Sequence, residues 1–134
     1  SHHGVHYQVE CEAFQLPVQR PRVPIWVAAT LPSSRPLDRA ARWDGIVPTT
    51  TAGLDVTPGD LRWLESYLSE RRNTEGDFDI IRFGQTQGPG DVAAARECAQ
   101  AGATWWCEYI YTANTTLDDT RARIRQGPPG RKGT

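Results

Sequence analysis

The sequence predicts an α/β protein built on a parallel sheet, and three observations carry that prediction. Four times along the 134 residues a short apolar run gives way to turn formers and then to a segment with helical spacing. The first of these runs, residues 25–29 after Pro24, is too apolar to alternate, as expected of a parallel strand covered on both faces. Loops rich in hydroxyls, glycine or proline follow the runs, and alternation of strand and helix places all such loops at one end of a parallel sheet.

Residues 1–23 form an irregular lead-in whose only strand signal is His6, Tyr7, Gln8 and Val9. His2, His3 and His6 lack a carboxylate or cysteine partner set at fixed spacing, so they read as exposed imidazoles rather than a metal cluster. The core segment spans 24–127. After its first strand, Thr30, Pro32, Ser33, Ser34 and Pro36 break the pattern, and Ser34 before Arg35, Pro36 and Leu37 reads as a helix N-cap with proline in the first turn. Leu37, Ala40 and Ala41 mark the buried face of that helix, Arg39 and Arg42 suit its C-terminal half, and Asp44-Gly45 reads as its stop before a strand at Ile46 and Val47. Residues 49–59 read as a polar loop.

Thr57-Pro58-Gly59-Asp60 opens a second helix over 58–72, with Leu61, Leu64, Tyr67 and Leu68 inward and Arg62, Glu65, Ser69 and Glu70 outward. Residues 73–76 end it, and 78–84 form the third strand. Gly84, Gly88 and Gly90 then precede a helix. Bare N–H groups there invite a phosphate, but the spacing matches no phosphate-loop fingerprint, and a tight turn with Asp91 capping a helix over 92–101 is the simpler expectation. The fourth strand spans 103–111, where alternation sends Trp105, Cys107 and Tyr109 to one face and Trp106, Glu108 and Ile110 to the other, so at least one of the adjacent tryptophans should pack. Glu108 is an acid inside an aromatic strand. It reads as the partner of an arginine before it reads as an acid or base. A last helix spans 117–126, after a loop over 112–116, and 128–134 reads as a disordered tail.

Pro24-Ile25-Trp26-Val27-Ala28-Ala29, the hydroxyls Ser33-Ser34, Arg39-Ala40-Ala41-Arg42 and Asp44-Gly45-Ile46-Val47-Pro48 together resemble a segment of the bacterial luciferase-like flavin-dependent monooxygenase superfamily. Gly4-Val5-His6-Tyr7 and the proline-punctuated stretch from Pro17 to Pro24 resemble what precedes it in that family, and Ala101-Gly102-Ala103-Thr104-Trp105-Trp106 resembles the family's last barrel strand. The resemblance implies the C-terminal half of a (β/α)8 barrel, strands five to eight, in a family whose closed barrels need about 250 residues. The chain begins at Ser1 inside a segment that the family places mid-sequence, and the expectation is therefore a C-terminal fragment. The resemblance further implies a small organic substrate and a cofactor, reduced flavin as FMN or, in a sister branch, the deazaflavin coenzyme F-420. Its cofactor-binding loop corresponds to Ala29, Thr30, Leu31, Pro32, Ser33, Ser34 and Arg35. No catalytic residue is assigned.

Composition bounds the partners. A formal charge of −1 gives no basic field for nucleic acid, and no apolar run reaches membrane-spanning length. The odd set Cys11, Cys98 and Cys107 lacks metal spacing and reads as reduced thiols of a cytoplasmic protein. Two other classes stay open beside the oxidoreductase: a different barrel chemistry such as phosphate-ester metabolism, and a non-catalytic half-barrel or pairing module. Four parallel strands leave two open edges, so the chain should be weakly stable alone or self-associate through them, as a homo-oligomer.

Overall fold

The computed structural model describes residues 1–12, 18–72, 76–110, 113 and 115–130. Its centre is a four-stranded parallel sheet, β3 (Trp26–Thr30), β4 (Gly45–Thr49), β5 (Asp79–Gly84) and β6 (Trp105–Glu108), in that spatial order. Each strand is followed by a helix: α1 (Ser34–Ala40), α2 (Pro58–Ser69), α3 (Ala93–Gln100) and α4 (Leu117–Gln126). Ahead of the sheet, β1 (His2–His3) and β2 (Gln8–Val9) make a small antiparallel pair, so the expected strand at 6–9 shrinks to its last two residues.

One face of the sheet is closed. Ala29, Ile46 and Ile80 pack with Leu37 and Ala40 of α1, Leu61, Leu64 and Leu68 of α2 and Cys98 of α3, and Val27 and Trp106 extend the cluster. The neighbouring residues on each strand point the other way, as the period of two demands. There Trp26 and Ala28 are exposed, Val47, Asp79 and Phe83 are half-buried, and Trp105 is 50% exposed. On that side Ile81 is buried, as is Gly45, which has no side chain. The first strand is therefore not covered on both faces as its apolar run suggested. It is an edge strand with one bare side, because among the described residues no further strand or helix lies against it.

A polar clamp ties the bare face together at the N-terminal ends of the strands. The indole Nε1 of Trp26 donates to Asp79 Oδ2 at 3.0 Å, and that of Trp105 to Asp79 Oδ1 at 2.9 Å. The two rings tilt against each other with centroids 5.5 Å apart. To reach Asp79 the Trp26 ring must cross β4, and it does so at Gly45, the register partner of both residues. Only glycine leaves the room: a Cβ at this position would lie 2.6 Å from Trp26 Cδ1 and 2.8 Å from the Asp79 carbonyl oxygen.

Several helix boundaries differ from expectation, and in two of them an expected stop or cap, Asp44 or Asp91, spends its carboxylate on another backbone amide. Asp44 does not stop α1, which already ends at Ala40. Its carboxylate instead accepts from Ile25 N at 2.6 Å and from Arg22 Nη1 at 2.6 Å, pinning the start of β3 to the start of β4. The Arg22 hydrogen bond and then the Ile25 amide hold its pKa below the usual carboxylate value. The N-cap of α1 is Ser33, not Ser34, and it makes no side-chain capping bond. Asp91 does not cap α3 either: it accepts from Gln87 N, and Val92 takes the cap position. By contrast α2 and α4 start as full capping boxes, Thr57 with Asp60 and Thr116 with Asp119. Most of the expected helix end at 73–76 and of the expected tail at 128–134 falls outside the described residues, as do Tyr111 of the expected fourth strand and Thr112 and Asn114 of the last loop. Within 128–130, Gly130 N donates to Pro89 O at 2.9 Å.

Two glycine substitutions should separate backbone room from backbone freedom. Gly45→Ala forces a Cβ against backbone and should destabilise the chain by about 1–3 kcal/mol. Gly59→Ala, in α2 with only Thr57 Oγ1 nearby at 3.5 Å, should be neutral or stabilise by about 0.4–1 kcal/mol. Urea unfolding followed by tryptophan emission measures both, and a harmless Gly45→Ala would show that the indole crossing is not tight.

Candidate functional site

The C-terminal ends of the four strands share one rim. At β3 and β4 the rim is hydroxylic, with Thr30 Oγ1 and Thr49 Oγ1 3.0 Å apart, and Leu31 N donates to Thr49 O at 2.8 Å. The loop after β3 turns immediately, through Ser33 N to Thr30 O at 3.0 Å.

The sequence-predicted cofactor residues divide into two groups at this turn. Ala29 and Leu31 are core residues on the helix side, 3% and 7% exposed, and offer a ligand little side-chain surface. Thr30 faces the bare side. Pro32, Ser33, Ser34 and Arg35 are exposed, and among the described residues neither serine hydroxyl is spent on a hydrogen bond within the protein. The structure thus brings Thr30, Ser33, Ser34 and Arg35 to one stretch of the rim beside Thr49, a residue that sequence reasoning left in a generic polar loop. Its pairing with Thr30 follows from the β3–β4 register, which no local pattern reveals. Because α1 has only seven residues, its dipole adds little to anion affinity, and the donors at this place are hydroxyls and the Arg35 guanidinium.

Farther along the rim lies a cleft of about 430 Å³ lined by Leu54, Asp55, Arg82, Phe83, Gly84, Gln85 and Tyr109. Arg82 braces it. Its Nη1 donates to Leu54 O at 3.1 Å and its Nη2 lies 3.6 Å from Asp55 Oδ1, so the loop after β4 is held to β5. The Arg82 Nε is buried and has no hydrogen-bond partner.

A second cleft, of about 280 Å³, opens between the loop after β5 and α4, and Glu108 sits in its wall. One carboxylate oxygen accepts from Thr86 N and Thr86 Oγ1, both at 2.8 Å, and from Arg123 Nη2 at 3.1 Å; the other accepts from Trp106 Nε1 at 3.0 Å. Burial alone would raise the Glu108 pKa. The hydrogen bonds from Trp106 and Thr86, with the Arg123 charge, outweigh burial and leave it below the ordinary value. Glu108 is therefore an anion held by four donors and is unsuited to a general acid or base. This is the arginine pairing that its place in an aromatic strand suggested. After β5 the Thr86 and Gln87 amides already bind Glu108 and Asp91, so these two are not free to hold an anion. Gly84 serves another purpose: a Cβ there would overlap the Trp106 ring.

Among the described residues no group of three or more metal-binding side chains exists, and no helix is long and apolar enough to cross a membrane. Comparison with protein-family models, curated proteins and solved structures finds no match.

Glu108→Gln keeps the shape and removes the charge, so it should cost about 1–3 kcal/mol at neutral pH. The folded-state pKa is depressed, so the carboxylate contribution is present above the ordinary value of 4.5 and is lost as pH falls through the lower folded value. The gap between wild type and variant should therefore narrow from neutral pH to a pH below the ordinary carboxylate value. Urea titrations at the two pH values measure it, and a gap that stays constant would show that charge is not what holds α4.

Proposed function

We propose that the chain supplies strands five to eight of a luciferase-like (β/α)8 oxidoreductase, with the preceding four strands belonging to the earlier part of a parent protein. The observation that carries this reading is the arrangement of the sheet. Four parallel strands stand in sequence order with the three intervening helices packed on the same side, and their C-terminal ends gather the hydroxyls of Thr30, Ser33, Ser34 and Thr49 near a cleft of ligand-pocket size. A barrel sheet has this order; a doubly wound sheet has helices on both faces and reverses its order at the ligand crevice.

The residues fit a flavin in kind. Thr30, Ser33, Ser34 and Arg35 offer neutral and charged donors to a phosphate or ring carbonyl, and Phe83 with Tyr109 offers flat apolar walls farther along the rim. When bound, reduced FMN, or deazaflavin in the alternative form of this reading, supplies the hydride or activates oxygen, and the protein's work is to hold it and a small organic substrate. Among the described residues no nucleophile paired with a base lies on the rim. The rival reading, a pairing module without catalysis, draws its support from the same bare face and open edges.

Titration of the full-length parent with FMN and with deazaflavin tests the assignment. Ser33→Ala with Ser34→Ala should weaken binding by about 1–3 kcal/mol if two phosphate contacts are lost. Unchanged affinity in a folded double variant would sink the loop assignment, and no binding by the parent would leave the pairing module as the better reading.

A further inference from the structure

The bare face has one geometric property that the helix-covered face lacks: it is self-complementary. The sheet ends in two parallel edge strands, β3 on one side and β6 on the other, both with the same direction. A two-fold axis parallel to the strands would set β6 of one copy beside β3 of another, twice over, with all eight strands still parallel and no edge left. Eight is also the strand number at which side chains just fill a barrel interior.

We infer that, in the 134-residue chain by itself, a second copy of the chain covers the bare face and closes an eight-stranded, two-fold symmetric barrel. The inference rests on the barrel reading of the fold and not on the flavin. Its chemistry is favourable. Asp79 is the one charged side chain that the strands turn to this face, and its oxygens already accept from Trp26 Nε1, Trp105 Nε1 and, at 3.3 Å, Thr104 Oγ1. It enters the interface without a bare charge. Trp26 and Trp105 are 38% and 50% exposed and would bury their remaining surface. Strand spacing, rise and sheet thickness put the face and its two edges at about 600 Å² per copy, the low end of specific interfaces. Outside the sheet, α4 next to the β6 edge has no buried residue and leaves Leu117 and Ile124 exposed, as a helix lacking its neighbour does. An antiparallel pairing of β3 with β3 would extend the sheet but leave both tryptophans in water.

In the closed arrangement each strand faces its own copy across the axis. Ala28 is exposed in one copy, yet it would face a second Ala28 in the dimer. Ala28→Asp therefore spares the single copy and sets two carboxylates toward each other in the interior. Sedimentation equilibrium without any flavin should give twice the 14.9 kDa chain mass for the wild type and the single-chain mass for Ala28→Asp, with unchanged far-ultraviolet circular dichroism. The Trp26 and Trp105 emission should move to longer wavelength in the variant. A wild type that is monomeric at high micromolar concentration, because only the strands of a longer parent fill the face, overturns the inference, as does open-ended association or a dimer that survives Ala28→Asp. Should the variant lose its fold, Thr30→Asp on the same face decides by the same masses. None of these outcomes depends on cofactor binding.

Discussion

Everything in this chain follows from the side on which its crossovers pass. A parallel βαβ connection is right-handed, so strands laid down in unbroken spatial order must place every intervening helix on the same face. The packing of Leu37, Leu61, Leu64 and Cys98 onto Ala29, Ile46 and Ile80 is that rule expressed in side chains. Its cost is the opposite face. A doubly wound sheet escapes by reversing its order and covering both sides, whereas an unreversed sheet covers its second face only by curling onto more strands. The Trp26, Asp79 and Trp105 clamp fits a surface of this kind: it satisfies a carboxylate internally, with indole donors, on a face that water reaches here and that a closed barrel would dry.

The strand and helix sequence was legible because each element carries its own period, and α4 matched to the residue because Thr116, Asp119 and Gly127 are all local signals. Edges were less legible where a boundary residue had a distant use. Asp44 looks like a helix stop and is a tether between two strands. Asp91 looks like a cap and is a turn acceptor. Ser34 lies one residue inside the helix that it was expected to cap. Local sequence cannot rank a capping bond against a partner 19 residues away, because the choice depends on strand register.

The rim shows the same division. Thr30, Ser33, Ser34 and Arg35 were visible as a hydroxyl-rich loop after a strand, and they do lie together. Ala29 and Leu31 were grouped with them by the family resemblance, although a strand sends alternate side chains apart and the turn carries Leu31 into the core. Thr49, Arg82 and the Arg123 partner of Glu108 came only from the third dimension. The aromatic strand behaved as alternation requires: Trp106 packs on the helix side while Trp105 stays on the bare one.

A ligand on this rim and closure of the bare face would be thermodynamically coupled. The hydroxyls near Thr30 sit on the β3 edge, so a ligand held there meets solvent on one flank until another strand arrives. A ligand that touches both halves stabilises their union by the same factor by which union raises its affinity, since the coupling free energy is reciprocal. Low affinity in an open half would then measure the missing flank as much as the loop itself. Loop substitutions are informative in a closed barrel, where a lost hydroxyl leaves a desolvated ligand atom without a partner, and nearly silent in an open one, where water replaces it.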